Sequence, residues 1–349
     1  AFATTGSEAN DFLVKFLWFH NNAMGQPGRR KVIARLGSYH GGTIAGASLT
    51  GWTKYHAGFG LPLDGFLHVS QPDTYNQARD GESEAEYSGR LVAEVEALIL
   101  AEGPETIGAF IAEPVSVSAG LALPPEGYFE GLQALLAKYE IRFFDDEVVT
   151  GFCRTGNLFG AETFDLRPDC MTLAKALSSA YQPISAILMS EDFYAGLERG
   201  SAEVGTFSHA GTYHGHPVAV AVALRTLELI EERDVLGHVR AVAPHFQKRL
   251  RAFEDHPLVG DCRTLGLAGA VELVVDKTTK EKPEPAGAIA AHFGERAQAA
   301  GLFVRPTGDA VVLAPPLVIT EAEIDELFRR FAVALDETLA WAGGQWRIA

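Results

Sequence analysis

A lysine and an aspartate are the residues of this sequence best suited to chemistry. Lys175 stands in the segment MTLAKALSSA, residues 171–180, among small and apolar neighbours. Desolvation disfavours an ammonium ion, so a lysine in such an interior segment either extends its amine to the surface or has a chemical role. Its amine can form a Schiff base with a carbonyl compound. Asp146 precedes Lys175 by enough chain for a strand, a loop and a helix, so both can lie at the ends of neighbouring strands.

Three consecutive acids, Asp145, Asp146 and Glu147, end an apolar strand pattern in FFDDEVVTGFCRTG. In open α/β sheets, ligands bind at the carboxyl ends of the strands. Successive residues of a strand point to opposite faces, so at most two of these acids can face one ligand. The residues leave two alternatives open: caps and salt bridges that close the strand end, or a magnesium site.

The segment TTGSEAND, at the start of the chain, predicts an anion site. A Thr-Gly-Ser turn directly before an amphipathic helix brings N–H groups, hydroxyls and the positive end of the helix dipole to one point. Phosphate is the most natural ligand for such a point, at Gly6 and Ser7. The alternative is that Ser7 only caps the helix. The turn is neither a GxGxxG fingerprint nor a P-loop, so it does not favour a dinucleotide or ATP.

Two further segments place suitable side chains at strand ends. SYHGGT puts Tyr39 after a strand, where its ring can stack on a planar group or belong to the core. Arg305 lies between apolar strands in FVRPTGDAVVLAPP. Its guanidinium matches a ligand carboxylate, although an internal salt bridge would also explain it.

The loop SHAGTYHGHP holds His209, His214 and His216, a spacing that raises the question of a metal site. Its glycines and proline indicate a loop without the helical HExxH geometry, and no cysteine lies nearby, so we expect no metal. Thr212 in the same loop can instead offer a hydroxyl and an N–H group to an anion.

The elements that must position these residues alternate between short apolar runs and amphipathic helices up to about residue 230. This alternation predicts an α/β fold with a mostly parallel central sheet and helices on both faces. A helix over 216–235, with a proline in its first turn, then leads out of this domain. The predicted strands are 31–36, 107–115, 141–149, 170–174 and 184–190.

The pattern changes to α+β after about residue 235. We therefore predict a large α/β domain over 1–233 and a small C-terminal α+β domain over 234–349. The small domain is predicted to contain one strand over 265–276, a strand pair within 302–316 and a final helix. Thr320 is the expected N-cap of that helix, with Glu323 completing a capping box.

Composition excludes several classes of protein. The 349 residues carry 29 Lys and Arg against 45 Asp and Glu, a net charge of -16 that leaves no basic surface for nucleic acid. Cys153, Cys170 and Cys262 form no CxxC pair and indicate reduced thiols of the cytoplasm. No apolar run approaches the roughly 20 residues needed to span a membrane. The chain starts within a working loop and without a signal-peptide pattern, which suggests that its true beginning is missing.

The order of these motifs resembles that of the class III pyridoxal-phosphate aminotransferases, which have PLP-transferase fold type I. The likeness covers essentially the whole chain, and it is greatest to the ω-amino acid or amine:pyruvate branch. The motifs that carry it are GSEAND, YHGGT, AEPV, DEVVTGFCRTGNLFG, AKALSSAYQPISA and GHPVA.

The resemblance implies a role for each matching residue around pyridoxal 5'-phosphate. Lys175 would bind the cofactor as a Schiff base and later shuttle a proton, while Asp146 would pair with the protonated pyridine nitrogen. Gly6 and Ser7 would hold the phosphate. Tyr39 would stack on one face of the ring and Val148 would press on the other, while Glu113 would support the Asp146 side of the site. Thr212 would reach the phosphate bound in the partner subunit. Arg305 would bind the carboxylate of the substrate.

The implied protein is a PLP-dependent transaminase of the EC 2.6.1 type, a cytoplasmic homodimer with shared active sites. It would move an amino group from a primary amine or ω-amino acid to a 2-keto acid, with pyruvate expected, by a ping-pong aldimine/ketimine mechanism. The alternatives are an aminomutase or decarboxylase on the same fold, or a non-catalytic or metal-dependent α/β binding protein. Three departures from the family stand out. The family's N-terminal segment that lines the pocket is absent from this sequence, Cys153 occupies a common glycine position, and the loop HAGTYHGHP varies from the usual form although Thr212 keeps its place.

Overall fold

The computed structural model describes residues 1–348, which divide into two compact units. Unit one comprises Ala1–Val115, Leu123–Phe152 and Phe159–Glu232. Unit two comprises Ser116–Ala122, Cys153–Leu158 and the chain from Arg233 onward. Two short segments that the sequence assigned to the large domain therefore belong to unit two.

Unit one is built on a seven-stranded sheet of the described residues, with strand order β1-β7-β6-β5-β4-β2-β3. Strands β2 to β6 pair in parallel, while β7 runs antiparallel to both of its neighbours. The predicted mostly parallel sheet is confirmed, but β1 and β3 were missed. The strands are β1 Phe2–Ala3, β2 Lys31–Arg35, β3 Phe66–Val69, β4 Ile107–Ala112, β5 Arg142–Asp146, β6 Cys170–Leu173 and β7 Ser185–Met189.

Helices cover both faces of this sheet, as the alternating pattern predicted. Phe143 and Phe144 are consecutive on β5, and they enter different apolar clusters because side chains alternate along a strand. Phe143 packs with Leu91 and Leu132 on one side, and Phe144 packs with Leu13 on the other. The helices are α1 Gly6–Ala23, α2 Ile44–Leu49, α3 Thr74–Gln77, α4 Glu84–Glu102, α5 Tyr128–Lys138, α6 Gly160–Thr163, α7 Glu191–Val204 and α8 Pro217–Glu232.

Unit two contains an antiparallel sheet of order β10-β11-β9-β8 and three longer helices among its described residues. The single strand predicted over 265–276 is wrong, because the chain reverses at Gly266, whose φ is +53°. Thr320 caps α11 with Glu323 in a capping box, as predicted. The elements are β8 Val259–Leu265, β9 Ala268–Leu273, β10 Arg305–Thr307, β11 Ala310–Leu313, α9 Val235–Arg251, α10 Ala288–Ala299 and α11 Glu321–Ala342.

None of the helices in residues 1–348 is long and apolar enough to cross a membrane.

Candidate active site

Asp146 and Lys175 lie at the same edge of the sheet in unit one. Asp146 is the last residue of β5 and pairs with Thr172 on β6, and Lys175 follows the end of β6 by two residues. Because β5 and β6 are parallel neighbours, their carboxyl ends meet at this edge. The sequence spacing predicted this arrangement.

Asp146 is buried and held as an anion. Its Oδ2 accepts hydrogen bonds from Asn10 Nδ2 and His40 Nδ1, both at 2.8 Å, and its Oδ1 accepts one from the Val148 N–H at 3.1 Å. Burial by itself would raise the pKa of Asp146, but the bonds from His40, Asn10 and Val148 outweigh burial and hold that pKa below its usual value. The carboxylate is therefore poised to accept a further proton donor at neutral pH.

Asn10 and His40 are functional candidates that sequence reasoning missed. Both are buried, and both lie inside motifs already singled out, GSEAND and YHGGT. Asn10 follows Ser7 by three residues on α1, so the two residues share one face of that helix. This spacing was the available signal, but only the fold shows that both motifs converge on Asp146.

The start of α1 and the loop after β2 form one structure. Thr5 is the N-cap, accepting from the Glu8 N–H at 3.2 Å, so the alternative that Ser7 caps the helix is wrong. Ser7 Oγ instead accepts from the Gly42 N–H at 3.1 Å. At Gly41, where φ is +138°, a Cβ atom would lie 2.7 Å from Ser7 Cα, so only glycine permits this approach.

Gly6 is the point where three elements of the site meet. A Cβ atom added there would lie 3.0 Å from Cγ2 of Val148, which follows β5, and 3.6 Å from Cβ of Ala174, which follows β6. The first N–H groups of a helix have no intrahelical acceptor and attract anions. The absence of a side chain at Gly6 therefore lets the start of α1 pack closely against Val148 and Ala174, so that a helix end suited to an anion lies at this edge of the sheet.

Tyr39 is attached to Glu113, the residue that follows β4. The Tyr39 N–H lies 3.4 Å from Glu113 Oε1, and the Tyr39 ring packs 5.3 Å from that of Tyr55. Glu113 is itself held by Arg35, whose Nη2 donates to the Glu113 carbonyl at 2.6 Å and lies 3.5 Å from Oε2. Glu113 thus links the positions of β2, β4 and Tyr39.

The segment around Lys175 was expected to lie in the interior, with the lysine either extending its amine to the surface or having a chemical role. Leu173 and Ala174 are buried, whereas Lys175 itself is exposed. Its φ of +38° is rare for a residue with a side chain. Strain of this kind, about 1–3 kcal/mol, concentrates at functional sites.

Two histidines of the loop before α8 pack against an aromatic ring of α1, while His216 lies beside Tyr213 in the loop itself. His209 and His214 have ring centroids 4.3 Å and 4.9 Å from that of Phe12. Within residues 1–348, no three His, Cys, Asp or Glu side chains are grouped so as to hold a metal ion. Thr212 is exposed in this loop.

Arg305 is the first residue of β10 in unit two, where it is exposed and pairs with Val312. Its predicted role toward a substrate carboxylate stays a prediction.

The residues in unit one fit pyridoxal phosphate. A buried carboxylate held ionised by three donors matches a protonated ring nitrogen. The end of α1 at Gly6 and Ser7 suits a phosphate group, and Lys175 provides a primary amine at the same sheet edge. Tyr39 and Val148 supply an aromatic and an aliphatic side chain next to these groups.

The comparisons with known proteins agree with this chemistry. The model of the family described as "Aminotransferase class-III" matches residues 1–335. A γ-aminobutyrate transaminase 1 from Solanum lycopersicum is 45% identical over 97% of this chain. A vanillin aminotransferase from Capsicum chinense is 44% identical over the same share, which is 73% of its own length.

Solved structures give the same result. The structure of the ω-transaminase from Pseudomonas jessenii in complex with PMP superimposes on this chain with a TM-score of 0.97 and is 47% identical in sequence. The match covers 98% of this chain and 76% of the transaminase chain. The chain spans only 65% of the length of the tomato γ-aminobutyrate transaminase.

Proposed function

Since this chain belongs to the class-III aminotransferase family, we propose that it transfers an amino group from a primary amine or ω-amino acid to a 2-keto acid, with pyridoxal phosphate as cofactor. The observation that carries the proposal is the buried Asp146 carboxylate, held by Asn10 and His40 at the sheet edge that also bears Lys175. Pyruvate is the proposed acceptor.

Bound pyridoxal phosphate supplies an aldehyde that combines with amines and a ring that accepts the electron pair left on the reacting carbon. Asp146 would hold the proton on the ring nitrogen, because its carboxylate is kept ionised inside the protein. Lys175 Nζ would bind the cofactor covalently and, once released, take the proton from the amino-bearing carbon of the substrate. Asp146 would thus serve the ring nitrogen and Lys175 the reacting carbon.

Other residues would bind and orient the cofactor. Gly6 and Ser7 would bind the phosphate at the end of α1. Tyr39 and Val148 would press on the two faces of the ring, with Glu113 holding Tyr39 through its N–H group. Such contacts would restrain the cofactor, so that Lys175 could reach the reacting carbon.

The names of the relatives support the proposed substrates. They include transaminases of γ-aminobutyrate, which is an ω-amino acid, and an aminotransferase named for vanillin, which has no carboxylate. A single site that accepts both an anionic and a neutral substrate needs a positively charged side chain that can move in to bind a carboxylate and move away for a neutral substrate. The exposed Arg305 is the proposed carboxylate ligand.

We also propose a homodimer with shared active sites. Helix α8 has a largely apolar sequence, yet its buried side chains are those of Ala219 and Ala223. Leu224 is 57% exposed, and an exposed apolar helix face of this kind supports the proposal of an interface. Thr212, in the loop before α8, would reach the phosphate in the partner subunit. Light scattering of the native protein should give the mass of a dimer; a monomer at micromolar concentration would contradict the proposal.

The predicted cytoplasmic location is also retained as a proposal. It rests on the three cysteines, none of which is paired in a disulfide within residues 1–348. The names of several curated plant relatives place those proteins in mitochondria or chloroplasts. Cell fractionation would decide the location.

The function is tested by supplying γ-aminobutyrate or a simple primary amine together with pyruvate and measuring alanine. Alanine should form with wild type and fall to background in Lys175→Ala, which lacks the amine. Lys175→Arg is the matched control, since it keeps a positive charge but cannot form the Schiff base, and it should be equally inactive. Product formed without any keto acid would indicate the alternative, an aminomutase or decarboxylase.

A further inference from the structure

His40 is bound at three of its atoms by three different segments. Its ring Nδ1 lies 2.8 Å from Asp146 Oδ2, and its carbonyl oxygen accepts from Asn10 Nδ2 at 2.8 Å. Its backbone N–H donates to Thr50 Oγ1 at 2.9 Å. Thr50 directly follows α2 and lies outside the motifs that carry the family resemblance. Thr50 is thus a third support of the residue that donates to Asp146.

The Thr50 hydroxyl forms its hydrogen bonds inside the protein. Thr50 is 0% exposed, so its hydroxyl is shielded from bulk water. The oxygen accepts from the His40 N–H, and its own proton can go to the Gly46 carbonyl at 2.9 Å or to the Gly41 carbonyl at 3.3 Å. A buried N–H group that loses its acceptor is unfavourable, because water does not replace the lost bond. Removing the hydroxyl therefore acts directly on the His40 backbone.

Backbone pairing brings Thr50 beside the loop that carries His40. The Gly51 carbonyl, one residue after Thr50, accepts from the Gly37 N–H at 3.0 Å. A Cβ atom at Gly51 would collide with the carbonyl oxygen of Arg35, the last residue of β2, so glycine allows this close approach. The chain after α2 is therefore fixed against the chain after β2.

Helix α2 is itself docked on α1. Asp11 Oδ1 accepts from the N–H groups of Ala45 and Gly46 at 2.9 Å and 3.1 Å, which provides an acceptor for the start of α2. The contacts thus form a closed ring that runs from α1 to α2, from Thr50 at the end of α2 to His40, and from the His40 carbonyl back to α1. A bond within such a network can contribute more than the pair would in isolation.

We propose that Thr50 is a positioning residue, whose hydroxyl fixes the backbone of His40 so that Nδ1 stays in place to donate to Asp146. Through His40, Thr50 would help to keep the Asp146 carboxylate oriented for the ring nitrogen of the cofactor. The part of this inference that concerns the cofactor rests on the proposed function, whereas the position of His40 does not.

The position of His40 is tested on the cofactor-free protein with Thr50→Val and Thr50→Ser. Valine has the shape of threonine without the hydroxyl, and serine keeps the hydroxyl without the methyl group. In Thr50→Val, the His40 backbone N–H should exchange with solvent at least about tenfold faster than in wild type, and the Nδ1 proton resonance should shift or broaden. In Thr50→Ser, both should stay close to wild type. Nuclear magnetic resonance with isotope-labelled histidine measures both protons, and His40→Asn identifies their signals by their loss.

Thr338→Val is the matched control for the loss of a buried threonine hydroxyl. Thr338 on α11 is also 0% exposed, and its hydroxyl donates to the Ala334 carbonyl at 2.7 Å, the same local bond that Thr50 makes to Gly46. This variant should leave both His40 protons unchanged. If Thr50→Val does not fold, Thr50→Cys takes its place, because a thiol is only a weak acceptor, and the same direction of change is expected.

Two results would overturn the position assigned to His40. The first is a His40 N–H and Nδ1 proton that behave as in wild type when the Thr50 hydroxyl is absent. The second is an equal change in Thr50→Ser, since packing of the methyl group would then be responsible.

The effect on the cofactor is tested by fluorescence titration with pyridoxal phosphate. Thr50→Val should bind at least tenfold more weakly, a factor that corresponds to about 1.4 kcal/mol, while Thr50→Ser and Thr338→Val should remain close to wild type. Equal affinities for Thr50→Val and wild type would overturn the effect on the cofactor. If the His40 protons respond as expected but wild type itself does not bind pyridoxal phosphate, the proposed function fails while the role of Thr50 toward His40 stands.

Discussion

The imidazole Nδ1 of His40 lies 2.8 Å from Oδ2 of Asp146, and both side chains are buried. The two residues come from segments more than a hundred positions apart, the loop after β2 and the end of β5. An ionised carboxylate only accepts hydrogen bonds, so Nδ1 carries the proton and donates it. His40 thereby keeps Asp146 charged and oriented toward the position proposed for the cofactor's ring nitrogen.

Replacing His40 by Leu should weaken the function of Asp146. A hydrogen bond to a charged group contributes about 1.5–3 kcal/mol, so we expect the kcat for amino transfer to fall by roughly 10- to 100-fold. His40→Asn is the matched control, since its amide can donate from nearly the position of Nδ1, and it should retain more activity. Steady-state kinetics of both variants make the comparison; equal losses would show that packing, not the hydrogen bond, is what His40 provides.

Replacing Arg305 by Ala should discriminate between substrates. Loss of a charge-assisted bond of about 1.5–3 kcal/mol should lower kcat/KM for γ-aminobutyrate or pyruvate roughly 10- to 100-fold, while a simple amine as donor is affected much less. Arg305→Lys keeps the charge without the planar fork and should give an intermediate loss for carboxylates. The half-reactions with each substrate should be measured separately, and an equal loss for charged and neutral donors would remove the assigned role.

Replacing Gly6 by Ala should reduce cofactor affinity. The added Cβ would lie 3.0 Å from Cγ2 of Val148, so either the turn after β5 or the start of α1 must move. Gly42→Ala is the control in the adjoining loop, because nothing lies within 4 Å of a Cβ there and the N–H bonded to Ser7 is retained. Fluorescence titration with pyridoxal phosphate should show a weakened Gly6→Ala and a nearly normal Gly42→Ala.

Cys153 is buried and has a φ of +76°. We therefore expect its replacement by glycine to give a more stable protein than its replacement by alanine, which is the opposite of the usual order. At most positions glycine is less stable than alanine, by about 0.5–1 kcal/mol. In the left-handed region, alanine is strained by about 1–2 kcal/mol and glycine is not. Cys153→Gly should therefore unfold at a higher temperature than Cys153→Ala in thermal denaturation. The reverse order would mean that the backbone relaxes away from this φ.

Much of the local structure follows from the sequence because it depends on short-range interactions. The capping box of Thr320 and Glu323 spans four residues, and its hydrogen bonds are available to any chain with that pattern. The strands β2, β4, β5 and β6 were predicted within a few residues, because a short apolar run of that length in an α/β chain most often forms a buried strand. The two-residue β1 was missed because it depends on pairing with the distant β7. The hairpin of β8 and β9 was missed because the turn at Gly266 was not recognised, so only one strand was predicted, over 265–276.

The sequence by itself determined the family and the chemical groups of the site: an amine at Lys175, a carboxylate at Asp146 and a helix start at Gly6 and Ser7. Only the tertiary structure decided which polar groups serve Asp146 and how they differ from those around Asp145. These adjacent aspartates have the same side chain, yet within residues 1–348 Asp146 accepts three hydrogen bonds and Asp145 accepts none. The physical reason is that a carboxyl group's charge depends on burial and on donors from distant segments, which sequence adjacency does not reveal.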